Sequence, residues 1–69
     1  MDVTSEIDAT VLKIGVAVGA EVAADDVLMI LESMKMEIEV TAPVAGRVRS
    51  ISVAEGSSVL EGDVLVALD

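Results

Sequence analysis

The sequence contains no cysteine, no histidine and no phenylalanine, tryptophan or tyrosine. Without cysteine no disulfide can stabilise the fold, and without cysteine or histidine no thiolate or imidazole can ligate a metal. A histidine-based catalytic triad is impossible, and no other acid–base or nucleophile constellation stands out. No spaced Asp/Gly loop of the calcium-binding type is present either. We therefore expect a non-catalytic protein without a metal site.

Basic residues are scarce as well. Four of them stand against 13 acidic residues, which gives a formal net charge of -9. Such a surface repels phosphate backbones and anionic membranes, so we expect no nucleic-acid partner. The apolar runs are too short to span a bilayer, and residues 1–6 have neither the basic start nor the apolar block of a signal peptide. The expected location is the cytoplasm.

The length and apolar content suit one small domain. The chain has 69 residues, of which 54% are hydrophobic. That is enough for a single core and no more. We expect one domain covering residues 1–69, monomeric in isolation.

The sequence repeats itself at an offset of 37 residues. Ten of the 22 positions from Val11 to Glu32 are identical to their counterparts, with no gap. Valine-rich segments separated by Gly and Asp turn signals favour β-structure, and two copies are too few for a solenoid. We predict an all-β fold in which two half-domains, related by a pseudo-two-fold axis, form a flattened barrel or sandwich of two small antiparallel sheets.

Each copy breaks the alternation of buried and exposed positions at the same place. The break lies between Val11 and Ile14 in the first copy and between Val48 and Ile51 in the second. One extra residue in a strand restores the pattern, so we predict a β-bulge at both places.

The first copy ends at a run that contains one of only two lysines, Lys35. A hairpin with Met34 and Lys35 as its two central residues sorts apolar side chains onto one face and acids onto the other. A slip of one residue would exchange the faces, which supports this register. Glu32 then lies opposite Glu37, a like-charge pair that is tolerable only in water. The predicted apolar face contains Met29, Leu31, Ser33, Met36, Ile38 and Val40, and the other face contains Ile30, Glu32, Glu37 and Glu39.

The turn itself breaks a local rule. Two-residue hairpin turns favour Asn-Gly, because both central residues take positive φ, and Met34-Lys35 fits that need poorly. Breaks of local rules tend to mark functional sites. The pseudo-two-fold axis relates this turn to the region of the chain termini, so we expect Lys35 to lie far from them. A lysine at a hairpin tip is most often only solvated, and the flanking methionines are what single this one out.

At these residues the chain resembles the biotinyl/lipoyl attachment domain family, specifically its biotin carboxyl carrier branch. Met34-Lys35-Met36 is the motif of that branch, and Glu32 and Glu37 are also typical of the family. The resemblance extends from about Asp8 to Asp69. Its further elements are Ala42-Pro43, Gly46-Arg47-Val48, Gly56, Val59, Gly62-Asp63 and Leu65.

Two departures from the family pattern are visible. Ser33 stands where alanine is commonest, and since both residues are small we expect little consequence. The connection over residues 16–22 is too short for the protruding loop found in some carriers. This resembles the thumbless carriers of pyruvate, propionyl-CoA or decarboxylase-type systems, or short free-standing carriers.

The resemblance implies a carrier function. A biotin protein ligase would join biotin to the Lys35 amine, with Met34 and Met36 as recognition flanks and Glu32, Ser33 and Glu37 completing the tip. The arm would then move a carboxyl group from a biotin carboxylase to a carboxyltransferase or decarboxylase site. Two alternatives stay open: a lipoyl carrier of the same fold, which usually has Asp before the lysine, and an unmodified β-sandwich that only binds proteins.

Overall fold

The computed structural model describes all residues, Met1–Asp69, and consists of strands joined by turns. The structure has no helix long and apolar enough to cross a membrane. The molecule measures 30 × 18 × 17 Å along its principal axes. Its eight strands are β1 Asp2–Thr4, β2 Ala9–Ile14, β3 Glu21–Val22, β4 Val27–Ser33, β5 Met36–Thr41, β6 Gly46–Ile51, β7 Ser58–Val59 and β8 Val64–Leu68.

The strands form two four-stranded antiparallel sheets. Their orders are β1-β8-β6-β3 and β5-β4-β2-β7. This confirms the predicted all-β fold of two small antiparallel sheets. One apolar cluster joins them, and it is built from Val, Leu, Ala and Met side chains because the sequence has no aromatic residue. Its fully buried members of largest volume are Leu28, Met29, Leu31, Leu65, Leu68, Val11, Val48 and Val66.

The two predicted bulges are present. The pairing of β2 with β4 shifts between Val11 and Lys13, and the pairing of β6 with β8 shifts between Val48 and Ser50. In each strand the valine before the shift is buried, with a relative exposure of 1%. The extra residue bends the strand and lets it keep apolar side chains on the core face on either side of the shift.

The strand pairing obeys the offset of 37 residues. Each residue of β1 corresponds to the residue of β5 that lies 37 positions later, and its partner in β8 corresponds to the residue of β4 that lies 37 positions earlier. These two corresponding residues also pair with each other. The same holds between the β6–β8 and β2–β4 ladders. The two half-domains are therefore related as the repeat predicts. The corresponding pairs of the outer ladders are Asp2–Ala67 with Glu39–Ile30, Val3–Val66 with Val40–Met29, and Thr4–Val64 with Thr41–Val27.

Strand β1 extends the repeat beyond the limits that the sequence indicates. The repeat found in the sequence begins at Val11, yet Val3 and Thr4 occupy the ladder positions of Val40 and Thr41. The two pairs are also identical in residue type. Because the intervening residues, 5–10, match poorly, these two identities are easily overlooked.

The chain termini meet where the second half-domain lacks a hairpin turn. The N-terminal ammonium of Met1 donates a hydrogen bond of 2.7 Å to the carbonyl oxygen of Leu68. The Leu68 N–H donates in return to the Met1 carbonyl oxygen, also at 2.7 Å. This junction occupies the position in its sheet that the Lys35 turn occupies in the other.

Candidate functional site

The β4–β5 hairpin has the predicted register throughout. Ser33 pairs with Met36 and Glu32 pairs with Glu37, which leaves two residues for the turn. The remaining pairs, down to Met29, also agree with the prediction. They are Leu31–Ile38, Ile30–Glu39 and Met29–Val40.

The turn has the strained backbone that its sequence predicts. Met34 has φ +52° and Lys35 has φ +64°, and both are signs of a type I′ turn. Only one other non-glycine residue in the chain, Asp25, has positive φ. Such a conformation costs on the order of 1–3 kcal/mol per residue, so the packing of the adjoining strands must hold the turn in place.

The strands below the turn are anchored in the core. Met29 and Leu31 are buried, at 0% and 1% exposure, while Ile38 and Val40 pack against the same cluster. This confirms the predicted apolar face in the body of the hairpin. The tip therefore extends from a rigid base, because each strand of the hairpin contributes side chains to the core.

Met36 lies on the same face of the hairpin as the apolar residues but is not buried. Its side chain is 61% exposed. The neighbouring strand β2 pairs with β4 only as far as Glu32, so no strand lies beside the last pair before the turn. The hairpin thus projects past the sheet, and the acids Glu32 and Glu37 are exposed there as predicted.

Lys35 presents a free amine. Its side chain is exposed and takes part in none of the side-chain hydrogen bonds or ion pairs of the structure. The two ion pairs join Arg47 to Glu21 and Arg49 to Asp69, at 3.3 and 3.7 Å. Lys13, the other lysine, is also exposed and unpaired, but it lies within β2, at the bulge, and pairs with Ile30 of β4.

Apolar surface flanks that amine on both sides. Met34 is 88% exposed, the highest value among the large hydrophobic residues that face solvent. None of the three surface grooves of the domain is lined by residues 33–37. The tip is therefore a projection that suits entry into another protein's cleft, and not a pocket that receives a ligand.

The sequence matches a biotin/lipoyl family model and a relative that is named a biotinylated protein. The sequence model of the family described as biotin-requiring enzymes, the biotin/lipoyl family, matches residues 2–68. The biotinylated protein TB7.3 homolog of Mycobacterium leprae (strain TN) is 56% identical over 45 residues, which are 65% of this chain and 63% of that relative. The aligned stretch thus spans less than two thirds of the relative's length.

Solved structures of similar fold come from both carboxylases and lipoyl proteins. A single-chain, multi-domain long-chain acyl-CoA carboxylase matches 96% of this chain with 32% identity and a TM-score of 0.90, over 7% of its own length. The urea carboxylase of Kluyveromyces lactis matches all of this chain with 33% identity and a TM-score of 0.94, over 6% of its length.

The lipoyl domain of the 2-oxoglutarate dehydrogenase complex of Azotobacter vinelandii matches 90% of this chain and 78% of its own, with 32% identity and a TM-score of 0.78. The matched family model, the duplicated β-fold and the projecting Met-Lys-Met turn agree with one another. The chain belongs to the biotinyl/lipoyl attachment domain family.

Proposed function

We propose that residues 1–69 act as a single biotin carrier domain in which biotin is attached to Lys35. The attached arm would move a carboxyl group between a biotin carboxylase and a carboxyltransferase or decarboxylase site. The observation that carries this proposal is the position of Lys35 at a two-residue turn, with an exposed amine that no side chain of the domain binds. An amine that must react inside another enzyme needs that freedom.

Attachment forms one amide bond. The Lys35 Nζ attacks the carboxyl carbon of biotin after a ligase has activated it with ATP, the activating group leaves, and the amine gives up a proton. Because no side chain of this domain hydrogen-bonds the amine, the ligase must supply the base. Attachment removes one positive charge, so the formal net charge of -9 becomes one unit more negative.

The domain contributes position and reach to the transfer. Biotin supplies a ring nitrogen that takes up and releases a carboxyl group. The buried side chains of β4 and the partly buried Ile38 and Val40 of β5 hold the tip rigidly, while the lysine side chain and the attached arm remain free to turn. Tethering converts each visit to an active site into an intramolecular encounter at a high effective concentration.

Three observations favour biotin over lipoate. Met34 precedes the lysine, where lipoyl domains usually have Asp, and Met36 follows it. The Mycobacterium leprae relative is itself named a biotinylated protein. The carboxylase neighbours also superpose with TM-scores of 0.90 and 0.94, against 0.78 for the lipoyl domain.

Intact mass spectrometry tests the proposal. The purified chain is incubated with biotin, ATP and a biotin protein ligase, beside a second carrier of established biotinylation. We expect one biotinyl group on each chain. A lipoyl-sized mass increase after expression with a lipoyl ligase, without biotinylation, would support the lipoyl alternative. No modification of this chain while the second carrier is labelled would support the unmodified interaction domain.

The methionine flanks are tested separately. Met34→Asp and Met36→Lys replace exposed apolar surface with charge, so we expect slower biotinylation or slower carboxyl transfer. A partner enzyme would bury the methionine side chain when it binds, and losing that contact lowers the rate or affinity by roughly tenfold or more. Unchanged kinetics in both variants would show that the flanks are not recognition elements, while leaving the attachment site itself intact.

A further inference from the structure

The four methionines are the only side chains of this chain that are readily oxidised under mild conditions. The sequence has no cysteine, histidine, tryptophan or tyrosine to compete with them. Their exposure differs sharply. Met34 is 88% exposed, Met36 61%, Met1 59% and Met29 0%. The sulfur of Met34, the residue before Lys35, is therefore the one that a soluble oxidant reaches most readily.

The position of Met34 in the fold explains this difference. It is the first central residue of the turn and lies beyond the last strand pair, Ser33 with Met36. It belongs neither to the core cluster nor to the apolar side chains that pack against the cluster. Met29, five residues earlier and within β4, is completely enclosed in that cluster and supplies an internal control.

We propose that Met34 is a methionine-oxidation site and that its oxidation slows biotin attachment to Lys35. Hydrogen peroxide is the oxidant. The sulfur lone pair attacks one peroxide oxygen, an S–O bond forms as the O–O bond breaks, and the other oxygen leaves as water after proton transfer. Sulfur loses two electrons and the peroxide gains them. The second half of the proposal rests on the proposed attachment of biotin to Lys35, and the first half does not.

Oxidation would change the chemistry of the turn without touching the amine. A sulfoxide is polar and chiral where the thioether was apolar and flexible. The surface beside Lys35 then loses part of the apolar contact that a ligase would bury against it. We expect a decrease of about tenfold in the biotinylation rate, which corresponds to the loss of one such contact. Reduction by methionine sulfoxide reductases would restore the thioether.

Peptide mass mapping during a hydrogen peroxide titration tests the first half. We expect Met34 to gain one oxygen first, Met36 and Met1 later, and Met29 only once the domain is unfolded by denaturant. Oxidation of Met36 or Met1 ahead of Met34 would overturn the assignment, and so would oxidation of Met29 at a similar rate in the folded protein. This result does not depend on whether the chain accepts biotin.

Biotinylation after peroxide tests the second half. Each protein is compared with itself before and after treatment, using ligase, biotin and ATP. We expect the wild-type chain and the control Met29→Leu to slow about tenfold and to recover after reductase treatment. Met34→Leu should keep its own initial rate after peroxide.

The outcomes separate this inference from the proposed function. If the untreated wild-type chain is not labelled while a second carrier is, the proposed function fails and the slowing of attachment fails with it. If the untreated chain is labelled and the chain oxidised at Met34 is labelled equally fast, only the inference fails. Persistent peroxide sensitivity in Met34→Leu would assign the effect to another residue. Should Met34→Leu accept no biotin, the wild-type chain at the peroxide dose that oxidises only Met34 decides: slowed labelling that recovers with reductase supports the inference, and unchanged labelling overturns it.

Discussion

The two half-domains share their strand ladders but differ at one end. In the first half, β4 continues through the Met34-Lys35 turn into β5; in the second, β8 ends at Leu68 and its partner β1 begins the chain. At this end the first half has the exposed Met34-Lys35 turn, and the second half has the hydrogen-bonded pair of Met1 and Leu68. The same ladder geometry supports both, and the proposed attachment site lies in the first half.

A closer comparison of the halves shows where the repeat is imperfect. Gly46 in the second half corresponds to Ala9 in the first, and Gly62 corresponds to Asp25. Gly62 and Asp25 both have positive φ, at +91° and +72°. The scaffold therefore accepts different residues at equivalent positions, and substitutions can test whether the halves are equivalent in energy as well as in geometry.

The largest expected effect comes from the leucines shared by the two halves. Leu31 and Leu68 are equivalent and both are buried, at 1% and 0% exposure. Leu31→Ala and Leu68→Ala should each lower the free energy of unfolding by about 2–5 kcal/mol, a large part of the stability of a small domain. Urea denaturation measures both. A negligible cost for either variant would contradict a single core shared by the halves.

Gly46→Ala should show that the two halves are not equivalent in energy. A Cβ at residue 46 would lie 2.8 Å from the Asp69 carbonyl oxygen and 3.8 Å from the Leu68 Cβ. Relieving that contact must move backbone, so we expect the free energy of unfolding to decrease by about 1–3 kcal/mol. Ala9 already carries a Cβ at the equivalent position, and Ala9→Gly should cost no more than about 1 kcal/mol. A neutral Gly46→Ala variant would show that the C-terminal residue is not held against β6.

The smallest expected effect compares the two turns of positive φ. The Cβ of Gly62→Ala meets no atom within 4 Å, but the alanine is forced into a left-handed backbone, so the free energy of unfolding should decrease by about 1 kcal/mol or slightly more. Asp25→Gly gives the first half the residue of the second. We expect a change of less than about 0.5 kcal/mol, because relief of the backbone offsets the greater freedom of the unfolded chain. Thermal unfolding distinguishes the two. Equal costs would mean that Asp25 stabilises its turn by contacts other than the backbone.

Much of the fold follows from the sequence because the repeat constrains it. Identities such as Gly19 with Gly56 and Leu28 with Leu65 predict two equivalent halves, and the parity break after Val11 predicts a bulge. The alternation around Lys35 gives the hairpin register and the positive φ of the turn. The bulge and the register follow from local alternation, because one face of each strand must be apolar. The equivalence of the halves follows from comparing the two copies.

The remaining features depend on contacts between distant parts of the chain. Strand β1 is only three residues long and becomes a strand because β8 pairs with it. Met36 is exposed because its pair with Ser33 lies beyond Glu32, the last residue of β4 that pairs with β2. The sequence of β5 does not encode how far that pairing extends. The pairing of Met1 with Leu68 also joins distant residues, but here the repeat gives the signal, because the offset of 37 relates this pair to Ile38 and Leu31. Local periodicity contains no signal for such contacts.

The most direct test of the central claim uses the two lysines. Lys35→Ala and Lys13→Ala are each incubated with ligase, biotin and ATP and analysed by intact mass, with circular dichroism as the control for folding. Since both lysines are exposed and unpaired, neither variant should unfold. We predict one biotinyl group on Lys13→Ala and none on Lys35→Ala. A biotinyl group on Lys35→Ala, or its absence from Lys13→Ala alone, would contradict Lys35 as the attachment site.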